Sequence, residues 1–341
     1  MDSIIIEVNP KIELMNSILY TSNHSNLIKK SMGFNPMIDY ETEYTEIVKE
    51  YFYPYKEHEI YSLVEKMTIN GFFLGRPVEL MCSVGELPSL NRKYEISQLC
   101  RELCGGEENI NNLLSLLRRF CEEINYMNFF DIVKKYYRDY IESVKRHLNK
   151  YPFVLVMEDF YGKKQKSYHY IITNLSHGSF GISFKNNDKL YMFAVMALMS
   201  ISDNEEENEL YRGALSTNTI IHEFAHPLIN PLTEKFGELV EKNYQAYEWL
   251  KKYKPPYFQS GYGDWDECVN EHIVRAIAIY LAAKLGEKEY ASRHLDYDMK
   301  IGYKYLPALL DKFQYYEKHR GIYKTIDDFY PELIEVFAEK V

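Results

Sequence analysis

The sequence has no uninterrupted apolar run approaching the roughly 18 residues at which a segment becomes a membrane-span candidate, so no transmembrane helix is expected. It also lacks the basic stretch and long apolar core of a secretory leader. Met1-Asp2-Ser3-Ile4-Ile5-Ile6-Glu7 reads as the first strand of a fold, and a cytoplasmic location is the expectation. Cysteine is scarce and unpatterned. The five, Cys82, Cys100, Cys104, Cys121 and Cys268, form an odd set without a disulfide framework, which fits a reducing compartment. Cys100 and Cys104 lie at helical spacing, but no second pair accompanies them, so a packing role is expected of them. Basic residues are in deficit, 40 Lys and Arg against 50 Asp and Glu, for a net charge of -10. Phosphate binding wants clustered cations, so nucleic acid is a poor partner for this surface. The short run Lys163-Lys164-Gln165-Lys166 reads as a solvated turn between strands. No Pro/Gly/Ser linker, low-complexity tract or repeat of 20–50 residues breaks the chain.

What is present is a chain of 341 residues, enough for one large domain or two moderate ones. Residues 1–150 read as mixed and then mainly helical. Ile4 to Val8 suggests a strand, and Pro10 to Tyr20 carries Ile12, Met15, Ile18 and Leu19 at helical spacing. Long helical patterns fill residues 91–149 and are broken at Cys104-Gly105-Gly106. Residues 151–341 form the second region. Within it, residues 152–197 hold short β-rich runs, Phe153 to Val156, Tyr168 to Ile172, Phe180 to Phe184 and Leu190 to Phe193. Turn residues separate them, which reads as an antiparallel meander. The acidic run Asp203 to Glu209 reads as a solvated loop, with calcium binding as the alternative. Helical pattern then returns, with candidate site helices over 216–285 and further helices to the C-terminus. The fold class expected is α+β, mostly helical, with a small antiparallel β-meander preceding a metal-binding helix.

That helix contains Ser216-Thr217-Asn218-Thr219-Ile220-Ile221-His222-Glu223-Phe224-Ala225-His226-Pro227. Four-residue spacing puts His222 and His226 on one helical face, roughly 5–6 Å apart at Cβ. Two neutral imidazoles so placed can clasp one Zn²⁺ through bonds of about 2.0–2.1 Å. Glu223 can lean over the metal without being a ligand, which is the mechanical sense of H-E-x-x-H. Ile220, Ile221, Phe224 and Ala225 supply packing faces, and Ser216, Thr217 and Asn218 are good N-cap types. Pro227 predicts a kink after the second histidine, and Asn230-Pro231 predicts the helix end.

An open zinc site needs a third protein ligand. A glutamate inside an otherwise apolar helix is costly unless it is paired or metal-bound. Glu271, followed by Ile273, Val274, Ala276, Ile277 and Ala278, fits that description. Glu267, one turn earlier, is the alternative. His272 and Cys268 are chemically competent but read as packing or supporting residues. Asp264 and Asp266 either orient a histidine ligand or begin the helix favourably.

The H-E-x-x-H run and a downstream helix bearing Asn270-Glu271 together resemble the gluzincin, or thermolysin-like, type of zinc metallopeptidase. The resemblance covers about residues 216–276. It implies a zincin-like catalytic region in which His222, His226 and Glu271 bind zinc and Glu223 is the general base. It departs at one position: such enzymes usually carry an aspartate four residues after the ligand glutamate, where this chain has Arg275. The six residues from His222 to Pro227, with Asn230-Pro231, are also similar to a run in an uncharacterised bacterial family. A β-meander before the motif helix matches the gluzincin layout, in which an edge strand pairs with substrate backbone. Phe180 to Phe184 is the candidate edge, or an ordinary sheet strand.

The chemistry expected is hydrolysis of a peptide or protein substrate, with zinc lowering the pKa of its water from 15.7 to about 7 and Glu223 carrying the proton. His319, Arg320 and Tyr323 cluster after the last long helical stretch and are candidate transition-state donors, His319 and Tyr323 foremost. The site is expected between the motif helix, the Glu271 helix and the meander. Two other readings share the residues: a zinc hydrolase of a non-peptide substrate, and a non-catalytic binding protein on a metallopeptidase scaffold.

Overall fold

A computed structural model describes residues 4–198, 216–252 and 263–338. The acidic run Asp203 to Glu209 lies outside the described residues. The described chain is mostly helical with one small four-stranded mixed sheet, an α+β architecture. It divides into two compact units. One comprises residues 5–146 and 169–201, the other residues 1–4, 147–168 and 202–341. The first break falls close to residue 150, but the strand segment from His169 onward belongs with the N-terminal helices rather than with the motif helix. None of the described helices is long and apolar enough to cross a membrane.

The sheet comprises β1 (Ile5–Glu7), β2 (Ser167–Thr173), β3 (Phe180–Asn186) and β4 (Lys189–Ala197), in the order β1-β2-β4-β3. This is not the expected meander. β3 and β4 form an antiparallel hairpin through Asn187-Asp188, with Phe180 opposite Val195 and Asn186 opposite Lys189. Asn187 takes the positive φ that such a two-residue turn requires. β2, however, neighbours β4, and β1 runs parallel to β2 with Ile5 opposite His169. The chain leaving β2 stays engaged with residues 36–38. Ile38 N–H donates to Leu175 O at 3.1 Å and His177 N–H to Pro36 O at 3.2 Å. That detour leaves β3 at the edge of the sheet among the described residues.

The predicted strand Phe153 to Val156 is a helix, Phe153–Tyr161. Its buried residues, Phe153, Val154, Met157, Phe160 and Tyr161, follow a helical period that four residues are too few to reveal. Gly162 ends it in the left-handed region, where a Cβ would collide with the carbonyl of Lys324. The Lys163 run is therefore a helix-to-strand turn, and Lys163 pairs with Asp327.

In the unit of the sheet, the helix Pro10–Thr21 begins at Asn9, whose side chain accepts from Lys11 N–H at 3.1 Å. It carries a buried carboxyl, Glu13. Thr173 donates to Glu13 Oε1 at 3.1 Å, Tyr44 donates to Oε2, and Asn16 donates to Thr173 at 2.8 Å. Burial pushes the Glu13 pKa up, and these hydroxyl donors only partly offset it. A raised carboxyl pKa gives stability that is full below the ordinary value of 4.5 and is lost as pH climbs through the folded value. The wild type should therefore lose stability relative to Glu13→Gln on going from pH 5 to pH 8, by about 1.4 kcal/mol for each unit of displacement within that window. Urea unfolding at the two pH values checks this, and a constant difference would contradict it.

Candidate metal centre

All the candidate ligands lie in the unit containing residues 147–168 and 202–341. Two helices supply them: the histidine helix, Thr217–Lys235, and the glutamate helix, Trp265–Lys284, which pack against each other. Ser216 caps the first through its hydroxyl, which accepts from Thr219 N–H at 3.3 Å. Ile220, Ile221, Phe224 and Ala225 are buried, as expected, and Phe224 meets Tyr168 edge-on. The helix end predicted at Asn230-Pro231 is not observed: the helix continues through both prolines to Lys235. Proline removes a donor and crowds the carbonyl four residues back, those of Glu223 and Pro227 here. Tertiary packing overrides that cost. Ile229, Leu232 and Thr233 are buried, and Thr233 hydrogen-bonds to Asn270 on the glutamate helix and to Tyr330.

At the centre three side-chain atoms of metal-binding type converge. His222 Nε2 and His226 Nε2 are 2.9 Å apart, and Glu271 Oε1 lies 3.4 Å from His226 Nε2 and 3.9 Å from His222 Nε2. A triangle with these edges has a circumscribed radius of about 2.0 Å, the length of a zinc–nitrogen or zinc–carboxylate bond. Among the described residues this is the one cluster of three His, Cys, Asp or Glu side chains whose donor atoms gather so closely. Glu223 is buried beside it, near enough for its charge to act on His226.

Burial and mutual charge set the protonation of these three groups. Burial drives the His222 pKa well below its ordinary value, more than the nearby Glu271 charge raises it. Burial acts against charge on His226 too, but the hydrogen bond and charge of Glu271 outweigh it and lift the pKa to about 9. Glu271 is held well below the usual carboxylate range: His222, His226 and Arg275 overcome a burial that alone would raise it. Metal-free, the cluster therefore keeps His226 as imidazolium, its Nε2–H directed at His222 and Glu271. His226 Nδ1–H donates to Asn230 Oδ1 at 3.2 Å, which orients the ring and keeps Nε2 as the atom that faces the centre.

The other predicted residues fall elsewhere. Glu267 accepts from Gly263 N–H at 2.8 Å in the first turn of its helix and is not part of the cluster. Asp264 caps that helix by accepting from Glu267 N–H at 2.7 Å, and Asp266 sits in its first turn, so the pair begins the helix. Cys268 and His272 are buried. His272 Nδ1 donates to Cys268 O at 2.7 Å, and its ring packs on Tyr303, Tyr305 and Phe337. Cys100 and Cys104 are free and buried, their sulfurs 3.9 Å apart. His319 donates to Tyr315 O at 2.8 Å and stacks on that ring. Tyr323 donates to Glu332 Oε1 at 3.2 Å, and Arg320 binds the carbonyls of Asp159, Phe160 and Lys324. These three are thus engaged among the C-terminal helices and the Phe153–Tyr161 helix, and none contacts the ligand cluster by hydrogen bond, ion pair or ring.

Sequence reasoning missed the roles of four residues around the cluster. Asn230 was hidden behind Pro231, although Asn218, His222, His226 and Asn230 recur every four residues along one face. Arg275 donates through Nε to Glu271 Oε2 at 3.1 Å and through Nη1 to Asp298 Oδ1 at 2.9 Å. Asp298, on the helix Lys288–Lys300, is fully buried, and no local pattern marks it. Asn218 Nδ2 donates to the buried His294 Nδ1 at 3.3 Å, one turn before His222.

A family model described as a domain of unknown function (DUF4932) matches residues 4–336. No curated protein and no solved structure matches the chain.

Proposed function

The chain belongs to the DUF4932 family, and we propose that it is a zinc-dependent hydrolase acting on peptide bonds, with a gluzincin-like arrangement of its site. One observation carries this reading: two imidazole nitrogens and one carboxylate oxygen enclose a point at zinc bond length, with the glutamate of H-E-x-x-H buried beside them. A purely structural zinc is usually closed by four protein ligands, whereas three leave a position for substrate or water. A site that only holds zinc needs no general base, and Glu223 is placed to be one.

In this proposal His222, His226 and Glu271 hold the ion. Bound there, zinc supplies Lewis acidity toward a carbonyl and brings the pKa of water near neutrality. Glu223 accepts a proton from the attacking water as the new C–O bond forms. It returns that proton to the amine nitrogen as the C–N bond breaks, so the carboxylate is regenerated in each cycle. Asn230 holds His226 in the productive tautomer. Burial of the cluster keeps bulk water from screening these charges.

The experiment is cleavage of a mixed peptide library by zinc-loaded protein, with products identified by mass spectrometry and Glu223→Gln as control. New peptide termini in the wild type alone support the reading. A fully zinc-loaded wild type that cuts no peptide would overturn the peptide assignment and turn attention to other acyl substrates of the same metal chemistry.

A further inference from the structure

We infer that Arg275, anchored by Asp298, is a positioning residue that fixes Glu271 so that a single oxygen faces the metal. The inference rests on the zinc reading above. Glu271 presents Oε1 to the two histidines, while Arg275 Nε occupies Oε2 at 3.1 Å. The same guanidinium donates through Nη1 to Asp298 Oδ1 at 2.9 Å, and its face lies 4.2 Å over the ring of Tyr303. Two carboxylates and one ring thus define the guanidinium plane, and a planar fork so held transmits its orientation to Glu271. With Oε2 occupied, the carboxylate cannot turn to offer both oxygens without breaking this bond.

A merely structural role explains the arrangement poorly. The Arg275 side chain is 11% exposed and that of Asp298 0%, so both charges are largely removed from water. Buried ion pairs recover that desolvation cost only with good geometry, and well-packed apolar residues serve stability as well or better. A permanent positive charge beside a dication site is also unfavourable by itself. Asp298 offsets that charge, so the directional hydrogen bond from Arg275 to Glu271 is made at less electrostatic cost to the site. At the position where gluzincins usually carry an aspartate, this chain therefore holds its ligand glutamate directly.

The test compares wild type, Arg275→Lys and the double variant Arg275→Met/Asp298→Asn. The lysine keeps the charge without the fork, and the double variant removes both charges together while keeping bulk. Zinc affinity is measured by competition with a chromophoric chelator on protein shown to be folded by circular dichroism. The visible spectrum of the cobalt-substituted protein reports coordination number. Both variants should bind zinc about 10–100-fold more weakly than wild type. The cobalt bands should lose intensity as Glu271 swings to offer two oxygens. Affinity and cobalt spectrum equal to wild type in either folded variant would overturn the inference. Should the double variant fail to fold, Arg275→Lys decides alone by the same criteria. A wild type that binds neither metal would instead refute the zinc reading, a result visible before any variant is made.

Discussion

With glutamine in place of Glu223, the chain is expected to keep its zinc and to lose turnover by about a thousandfold or more, equivalent to roughly 4 kcal/mol of transition-state stabilisation. The two halves of this expectation have separate origins. Glu223 is not one of the three atoms that enclose the metal position, so ion binding does not depend on its oxygen. Glutamine matches its shape within the same buried surroundings, so the histidine helix keeps its packing. What glutamine cannot do is take a proton from water and give it back. The check is the initial rate of peptide cleavage together with zinc content of the same preparation. Retained turnover would refute the general-base role, and lost zinc would make Glu223 a ligand.

The second large effect concerns the ion itself. Zinc that binds the folded chain alone stabilises it by about 4 kcal/mol at a thousand times its dissociation constant. Removing Glu271 leaves two histidines, and Glu271→Ala should therefore abolish the zinc-induced rise in melting temperature, as should His222→Ala. The quantity to compare is the difference between zinc-loaded and zinc-free melting. Glu271→Ala also strips Arg275 of one acceptor and removes the charge that raises the His226 pKa, so the metal-free protein is expected to change as well. A zinc-induced shift in Glu271→Ala equal to that of wild type would exclude Glu271 from the ligand set.

What could be read in the sequence was what depends on local spacing. His222 and His226 are one helical turn apart, and their shared face follows from the helix period. Glu271 announced itself as an acid set among isoleucine, valine and alanine, a placement that is costly without a cationic partner. The helix Pro10–Thr21, the break at Gly105-Gly106 and the presence of a turn between the last two β-rich runs were likewise legible, because capping and backbone preference are local.

What could not be read depends on partners distant in the chain. Pro231 signals a helix end only if nothing holds the next turn, and contacts of Thr233 with Asn270 and Tyr330 hold it. The strand order follows from pairing of the segment after β2 with residues 36–38, which no pattern within 152–197 could disclose. Phe153 to Val156 has strand composition, and only burial extending to Tyr161 shows its helical period. Arg275 looked like a departure from a familiar pattern until Asp298, 23 residues away, gave it an anchor.

The measurement that bears most directly on this account is zinc per chain, by elemental mass spectrometry on untagged protein never exposed to chelator. The converging nitrogens and carboxylate predict one zinc per chain, lost on His222→Ala. No zinc, even after reconstitution, would contradict the account and reduce the cluster to two buried histidines and a glutamate held together by the proton on His226.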